Sequence, residues 1–282
     1  VVCRDGRVFK ANKFVVSSLN PTQTFLDMVG EDKLETDFAN KVKNFKYSNT
    51  TPLFTLLLAQ NERLYWKAAE WEPDVNDAWY LIAGLEGFGD IPKLYEDCNA
   101  RRIPQGKQLL GAQPAQHDPT QAPPGKCTSF WWQLAPGNLA EEHGGPDHWD
   151  DVREEFTQSC VDHLAHYAEN LTPDNIVEQF GQTPIDIERH LPNMVGGDIQ
   201  VGELSEDQIL DKRPFPECAQ YRTPVPGLYL CGASCHPGGN ITGSPGYNAA
   251  GIVCKDLGME PWWNPPGRPR ALEITGQRRE KV

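Results

Sequence analysis

Glycines crowd one short stretch near the carboxyl end of the sequence, between residues 228 and 250. The apolar run at 228–230 predicts a buried strand before them, and a helix is predicted to begin near Gly246. Unpaired N–H groups and the positive end of that helix's dipole would face an electron-rich group on a ligand. Glycines allow the backbone to approach such a group closely. The pattern therefore indicates a cofactor-binding turn; its glycines are residues 232, 238, 239, 243 and 246.

The residue order here resembles the carboxy-terminal signature of the phytoene desaturase-like flavoproteins, an FAD-dependent family that includes carotenoid desaturases and isomerases. The resemblance lies in Leu228-Tyr-Leu-Cys-Gly-Ala233, His236-Pro-Gly-Gly239 and Gly243-Ser-Pro-Gly-Tyr-Asn-Ala-Ala250. Segments 1–7, 14–25, 117–126, 193–198 and 213–216 follow in the family's order. The similarity spans most of positions 1 to 258 and implies FAD as the cofactor.

The resemblance also implies a set of site residues. His236 is the candidate catalytic residue: it could contact the flavin, act as acid or base on the substrate, or only brace its loop. Arg213 and Asp198 could orient chain segments near the flavin or form an internal ion pair. The implied cofactor-binding residues are Gly232, Ala233, Ser234, Pro237, Gly238, Gly239, Thr242, Gly243, Gly246, Tyr247 and Asn248.

The implied chemistry is hydride transfer to flavin N5 from an unactivated carbon chain held in a dry apolar slot. Negative charge would develop at the N1 and O2 edge of the flavin, where the amino terminus of a helix at 246–248 would stabilise it. Tyr247 and Asn248 could donate hydrogen bonds there or act as capping residues. Aromatic residues could line the slot or belong to a core; they are residues 65, 66, 71, 79, 80, 130, 131 and 132.

One part of an FAD site is missing from the sequence. The family binds the ADP half of FAD with a strand, a Gly-x-Gly-x-x-Gly turn and a helix. No Gly-x-Gly-x-x-Gly occurs in the 282 residues, and the sequence begins at Val1 within a predicted hairpin. We interpret the chain as the carboxy-terminal portion of a larger flavoprotein, or as one subunit of a split one. Its partner would be an amino-terminal FAD-binding half or separate subunit that carries this motif.

The predicted fold class is α/β, with α+β character. Residues 1–20 and 200–258 are predicted to be parts of a Rossmann-like FAD-binding domain, and residues 21–199 are predicted to form a substrate domain. The region from about 52 to 192 is predicted to be inserted between the two parts of the FAD-binding domain. That domain is predicted to hold a mixed sheet with helices on one side. The tail at 259–282, with Trp262 and Trp263, is predicted to dock on a neighbouring domain or partner chain, or else to fray.

Helix and strand signals support this division. Asn20-Pro21 can open a short helix ending at Gly30, and apolar spacing predicts helices at 34–45 and 149–167. Thr183-Pro-Ile-Asp186 and Ser205-Glu-Asp-Gln208 have the form of capping boxes. Strands are predicted at 52–59, 79–83, 109–113 and 128–134.

Composition favours an ordinary globular chain, with 39% hydrophobic and 23% charged residues. The net charge of −13 argues against nucleic-acid binding and against a strong electrostatic hold on anionic lipid. No apolar run reaches the roughly 18 residues of a spanning helix. We expect a cytoplasmic protein that acts on an apolar small molecule, with peripheral membrane contact left open.

Cysteines and histidines offer two alternatives to flavin chemistry. The eight cysteines include no Cys-x-x-Cys pair and are typical of reduced thiols, although Cys231 and Cys235 flank the turn and could be a redox pair. The histidines at 143, 148, 163 and 166 could hold a metal, but packing and surface roles explain them better, and no metal is predicted.

Two classes of function follow. The first is an FAD-dependent desaturase, dehydrogenase or isomerase acting on an apolar, isoprenoid-like substrate. The second is a non-catalytic subunit that completes the flavin pocket of a split oxidoreductase. Split arrangements such as those proposed for limonene-type dehydrogenases would fit the missing half.

Overall fold

The computed structural model describes residues 1–3, 5–239 and 241–263. In chain order its α-helices and strands are β1 (Val15–Ser17), α1 (Thr36–Lys43), β2 (Leu53–Gln60), β3 (Leu81–Ala83), α2 (Asp90–Asn99), β4 (Leu109–Ala112), β5 (Cys127–Leu134), α3 (His148–Ala165), β6 (Ile176–Gln182), α4 (Pro184–His190), β7 (Leu228–Leu230) and α5 (Ser244–Asp256). A π-type helix spans Thr22–Gly30. Short 3-10 turns occupy Glu31–Lys33, Lys67–Glu70, Pro73–Asp77, Pro114–Gln116, Pro119–Gln121, Glu141–His143, Val195–Gly197, Leu210–Lys212 and Pro216–Cys218.

β1 and β7 form a two-stranded parallel sheet, although they lie at opposite ends of the chain. Val15 pairs with Leu228, and Ser17 pairs with Leu230. Before β1, Val2 and Val8 form an antiparallel bridge, which confirms the predicted hairpin. The carboxyl ends of both strands therefore point to the same edge, where the glycine-rich stretch begins.

The second sheet has five strands in the order β3-β4-β5-β2-β6. Every neighbouring pair is antiparallel, so the prediction of a mixed sheet for this region is wrong. β3, β4 and β5 pair in chain order, whereas β2 pairs with β5 and β6, which lie far from it in the sequence, so the antiparallel order is set by the fold and not by short returns. The only parallel pairing among the described strands is that of β1 with β7.

α3 covers one face of the five-stranded sheet and creates its core. Phe156 of α3 lies 4.8 Å, ring centroid to ring centroid, from Phe54 of β2. Trp131 and Trp149 are fully buried in the same cluster. Burial of each such side chain contributes about 1.5–3 kcal/mol. On the opposite face, Leu57 and Phe180 are exposed among the described residues, in agreement with the prediction of helices on one side. We call the sheet with α3 the five-stranded lobe.

A separate core lies under β1 and β7, and we call this part the two-stranded lobe. Phe25, Phe38 and Phe45 pack there with Phe215, at centroid distances between 4.9 and 5.7 Å. The first three of these rings belong to the interval 21–199 and pack with Phe215 of the interval 200–258. The buried cluster of the five-stranded lobe is built from residues between 54 and 171. The predicted domain boundaries stay a prediction.

Most predicted elements are present. The helices predicted at 34–45 and 149–167 are α1 and α3, and three of the predicted strands match β2, β4 and β5 closely; β3 covers only the end of 79–83. Thr183 forms the predicted capping box with Asp186 at the start of α4. Ser205–Gln208 is a turn and not a helix start, so that prediction is wrong: the Ser205 hydroxyl donates to Asp207 instead.

No helix among the described residues is long and apolar enough to cross a membrane. Of the predicted docking tail, only residues 259–263 fall within the described residues. Trp262 there is almost fully exposed, and the ring of Trp263 lies 6.0 Å from that of Tyr247. The remainder of the tail, 264–282, lies outside the described residues.

Candidate cofactor site at the glycine-rich turn

The glycine-rich turn begins where β1 and β7 end. Cys231 donates its backbone N–H to the carbonyl of Ser17 over 2.8 Å. A Cβ at Gly232 would lie 2.3 Å from the carbonyl oxygen of Ser18, so a side chain cannot be placed there without moving the backbone. Gly232 is therefore required for the close approach of the two strand ends, which explains one of the predicted glycines by packing within the chain.

The turn then folds back on itself through short backbone bonds. Cys235 donates to the carbonyl of Gly232 at 3.0 Å, and Gly238 donates to that of Cys235 at 2.7 Å. Gly238 has a φ of 112°, a conformation that other residues rarely adopt. Among the other predicted site residues, Ser234 is buried, Ala233 and Gly239 are partly buried, and Pro237 and Thr242 are exposed.

Arg213 is fully buried beneath this turn. Its Nη2 donates to the carbonyl of Ala233 at 3.1 Å and to that of Gln200 at 2.8 Å. Further bonds go to the carbonyls of residues 202, 203 and 208. Burial lowers the pKa of Arg213, while the charge of Asp198 acts in the opposite direction. The guanidinium therefore ties the 200–208 loop to the turn.

Arg213 keeps one unused donor. Its Nε, which is buried, has no acceptor among the described residues. A Cβ placed on Gly238 would lie 4.0 Å from this atom and 3.8 Å from the Oε1 atom of Gln200. Gly238, which is itself buried, therefore packs close to the one unpaired N–H of an otherwise hydrogen-bonded guanidinium.

Asp198 is also fully buried, and it organises the same loop from the other side. Its carboxylate accepts the backbone N–H groups of Ser48, Gln200 and Gly202, each at 2.9 Å, and the hydroxyl of Thr51 at 2.6 Å. Both residues are described by the structure and no ion pair joins Asp198 to Arg213, so the ion-pair alternative is wrong. Each charge is satisfied by backbone groups, which is how the loop is held without a direct contact between them.

His236 is fixed by its backbone, while its imidazole makes no hydrogen bond to any described residue. Tyr221 donates its hydroxyl to the His236 carbonyl at 2.8 Å and accepts from the Asn248 amide at 2.9 Å. These three residues, with Leu210 and Ile252, line a surface cleft of about 450 Å³. The bonds leave the half-buried imidazole available at the cleft and commit the Asn248 side chain to an internal role.

Backbone strain is concentrated around this cleft. Val201, Leu210 and Tyr221 have positive φ values of 53°, 56° and 66°. Such conformations cost on the order of 1–3 kcal/mol each outside glycine and persist only where the surroundings enforce them. The Asp198 and Arg213 bonds supply that enforcement for the 198–213 segment. This arrangement could not be identified from sequence, because none of the three is a residue type that favours positive φ.

Helix α5 begins at Ser244, two residues before the predicted start at Gly246, with Gly243 as its N-cap at φ 64°. Ser244 donates its N–H to the Thr242 hydroxyl and Tyr247 donates to the Gly243 carbonyl, whereas Pro245 has no N–H. The N–H of Gly246 has no acceptor among the described residues. A Cβ there would meet no atom within 4 Å. The first turn of α5 therefore presents one unpaired backbone donor on an open surface, and its role in binding a ligand stays a prediction.

Two alternatives to flavin chemistry, a redox pair of Cys231 with Cys235 and a metal site at the histidines, find little support among the described residues. Burial raises the pKa of Cys235 to about 12, and burial also raises the pKa of Cys231 and of the neighbouring Cys218. Such thiols are poor nucleophiles near neutral pH. Among residues 1–3, 5–239 and 241–263, no group of three or more metal-ligating side chains comes together.

Five of the eight aromatic residues predicted to line the substrate slot lie on the two faces of the five-stranded sheet, and the other three do not. Trp66 and Trp131 are buried on the α3 side. Phe130 and Trp132 lie on the open face with ring centroids 5.0 Å apart, and Tyr80 lies 6.1 Å from Phe130. Leu57 of β2 pairs with Phe130 of β5 on one side and with Phe180 of β6 on the other, and both Leu57 and Phe180 are exposed. An open apolar sheet face of this kind is typical of a binding surface. The other three, Tyr65, Trp71 and Trp79, are exposed and belong to neither set.

Comparison with known proteins finds relatives that are named as oxidoreductases. It is 30% identical over 284 residues to a limonene dehydrogenase subunit of Castellaniella defragrans, across 96% of this chain and 50% of that protein. It is 29% identical over 262 residues to mouse pyridine nucleotide-disulfide oxidoreductase domain-containing protein 2, across 91% and 44%. The chain thus spans about half the length of the curated relatives it matches.

No family model matches the chain. A solved oxidoreductase from Methanosarcina mazei overlaps 88% of this chain and 44% of its own length, with a TM-score of 0.47 and 16% sequence identity.

Proposed function

We propose that this chain supplies the flavin-facing half of an FAD-dependent dehydrogenase or desaturase, and that a second polypeptide segment with a Gly-x-Gly-x-x-Gly turn supplies the ADP-binding half. The observation that carries the proposal is the start of α5. There, the Gly246 amide stands unpaired among the described residues, and a Cβ at Gly243 or Gly246 would meet no atom within 4 Å.

The turn fits the electron-rich edge of an isoalloxazine ring. The Gly246 N–H and the positive end of the α5 dipole offer a donor and a favourable potential to an oxygen or nitrogen acceptor. The buried Arg213 cation lies below the same turn, at Gly238. A flavin bound there would accept a hydride from the substrate. The chain's own contribution would be to orient the ring and to stabilise the charge that develops on it.

The chain's residues also suggest how an apolar substrate would be held. The open face formed by Leu57, Phe130, Trp132 and Phe180 offers aromatic and aliphatic surface and no charged group among these four. A hydrocarbon that packs on this face would remove apolar surface of both partners from water. The name of the Castellaniella relative supports a terpene as the substrate class. His236, with its free imidazole at the cleft, is the proposed acid or base where a proton must move.

A heteromeric enzyme, or one built from two chain segments, is supported by the share of each relative that the chain covers and by the name of one relative. The chain matches about half of each curated relative, and the Castellaniella protein is itself named as one subunit of a dehydrogenase. The alternative is a non-catalytic chain that only completes a partner's flavin pocket, and the absence of a Gly-x-Gly-x-x-Gly motif from the sequence is compatible with both. The two differ in whether His236 is needed for turnover.

The test compares the chain produced alone with the full gene product or complex that contains it, purified from its source through an affinity tag. We expect the chain alone to be colourless, because half of a cofactor site does not offset the cost of ordering it. The complete assembly should be yellow and contain stoichiometric FAD. A colourless complete assembly would overturn the flavin proposal, and a yellow isolated chain would overturn the division of the site.

His236→Ala in the complete assembly separates the catalytic from the non-catalytic interpretation. If His236 transfers a proton, turnover should fall by about 10²–10⁴-fold while the flavin content stays unchanged. Unchanged turnover would show that His236 only braces the turn.

A further inference from the structure

A second cleft lies at one edge of the five-stranded lobe. Its volume is about 570 Å³, and it opens where Gly84 follows β3 and Lys107 precedes β4. Helix α2 contributes Leu94 to its lining, and the last turn of α3 contributes His163. Small-molecule sites have volumes of roughly 300–1,000 Å³. The cleft therefore has the size of a ligand site, and it shares no lining residue with the cleft at His236.

Lys107 differs in burial from every other lysine that the structure describes. The others are exposed, whereas Lys107 is partly buried. Its amine forms no ion pair and donates no hydrogen bond to any described residue. The Nζ atom lies 4.4 Å from the centroid of the Phe156 ring. Because a ring face is a weaker counterpart for a cation than a carboxylate is, the amine is left without a charged partner.

Three of the four acidic residues that line the cleft are engaged elsewhere. Arg102 donates to the Asp97 carboxylate at 2.6 Å. Asp90 accepts two backbone N–H groups from the loop before α2, at 2.9 and 3.1 Å, and Glu86 accepts the Tyr167 hydroxyl. The fourth forms no ion pair in the described part of the chain. Acidic residues outnumber basic ones by 39 to 26 in this protein, and this amine is still left without one.

The surroundings of Lys107 favour the neutral form of its amine. Burial lowers the pKa of Lys107, so its lone pair is available near neutral pH more often than that of an exposed lysine. Lys107 also borders a neighbouring cleft of about 720 Å³. The buried side chains of Leu94 and Phe156 line these two clefts. A lysine amine in such apolar surroundings is a nucleophile toward a carbonyl carbon.

Exposed apolar side chains lie next to the cleft. Leu85 lines it, and Phe88 and Ile91 follow in the loop and first turn of α2. Phe88 is 97% exposed. A Cβ at Gly87 or Gly89 would meet no atom within 4 Å, so this loop has room to adjust to a ligand. Apolar residues so close together are typical of a surface that an apolar group covers.

We propose that Lys107 is the reactive amine of a carbonyl-binding site, which takes an apolar aldehyde and holds it as an imine. The amine nitrogen attacks the carbonyl carbon and forms a C–N bond. The carbonyl oxygen then leaves as water with two protons from the amine, and a C=N double bond remains. No oxidant or reductant is consumed. This second site does not rest on the proposed flavin chemistry.

Reductive alkylation tests the site. The complete assembly is incubated with hexanal and sodium cyanoborohydride, which reduces an imine to a stable secondary amine, and labelled peptides are quantified by mass spectrometry. We expect Lys107 to be alkylated at least about tenfold faster than Lys93, which lines the same cleft and is 76% exposed. The rate at Lys107 should also level off as the hexanal concentration rises, because binding precedes reaction. Equal labelling, or faster labelling of Lys93, would overturn the proposal.

Two controls use the same wild-type protein. 1-Hexanol has the apolar body of hexanal but no carbonyl, so it should slow the labelling of Lys107 and leave that of Lys93 unchanged. In denaturing urea the two lysines should react at equal rates, because the fold no longer buries Lys107. Lack of competition by 1-hexanol would refute a site for an apolar ligand. A preference that persists in urea would come from the neighbouring sequence and would equally refute the proposal.

Discussion

Arg213 donates a hydrogen bond of 3.1 Å to the carbonyl of Ala233, and this contact joins the strained 198–213 segment to the glycine-rich turn. The same guanidinium reaches carbonyls on the 200–208 loop, so its removal would leave several buried acceptors unpaired at once. The site therefore depends on a cation that does not touch solvent.

Arg213→Met should destabilise the chain by about 3 kcal/mol or more, because several buried carbonyls lose their donor at about 1–3 kcal/mol each. Arg213→Lys should recover little of this, because a compact ammonium cannot replace a planar fork that serves several carbonyls. The matched control is Arg222→Met, which breaks an exposed pair with Asp256 and should cost about 0–1 kcal/mol. Urea denaturation of the three variants measures the difference, and equal losses at 213 and 222 would contradict the role of Arg213.

Gly246→Val should separate a ligand-facing glycine from an ordinary helix glycine. Gly251 on the same helix is its control, because a Cβ at either position meets no atom within 4 Å. We expect both valine variants to keep the isolated chain folded. Only Gly246→Val should lower the flavin content of the complete assembly, by at least about tenfold, because its side chain blocks the approach to the Gly246 amide. Equal flavin content in the two variants would indicate that the start of α5 is a plain turn.

Thr183→Ala should lower the free energy of unfolding by about 1 kcal/mol through loss of the α4 cap. Ser205→Ala should change it by less than about 0.5 kcal/mol, since Ser205 caps no helix. The two sites have similar sequence motifs, so denaturant titration of both variants tests the structure rather than the motif. A large loss at Ser205 would show that a helix begins there in solution.

Adjacent tryptophans on β5 should separate stability from binding. Trp131 is fully buried on the α3 face, and its replacement by alanine should cost about 3–5 kcal/mol. Trp132 lies on the open face, so Trp132→Ala should cost far less stability but raise the KM for an apolar substrate in the complete assembly. Denaturation of the chain and steady-state kinetics of the assembly report the two effects separately. An unchanged KM would remove the open face from the substrate site.

Short-range features of this protein were determined by the sequence itself. The strand at 228–230, the glycine turn, the helix that follows it and the Thr183 capping box depend on residues within a few positions of one another. Glycine spacing and capping chemistry act over that range, so local patterns were sufficient to predict them. The same reasoning failed at Ser205, where the Gln208 side chain bonds both backbone groups of the distant Lys46 at 2.8 and 2.9 Å instead of capping a helix.

Tertiary structure decided what lies between distant parts of the chain. Strand order and register decide the antiparallel arrangement of the five-stranded sheet, and they place Trp131 and Trp132 on opposite faces of it. The fold also brings Phe25 and Phe215 into one buried cluster, although they are far apart in the sequence. Arg213 and Asp198 are not distinctive in sequence, and only the fold shows that each is buried and satisfied by backbone groups rather than by the other. The cost of burying a charge is met by whichever partners the fold brings near it, and those partners are many residues away in the chain.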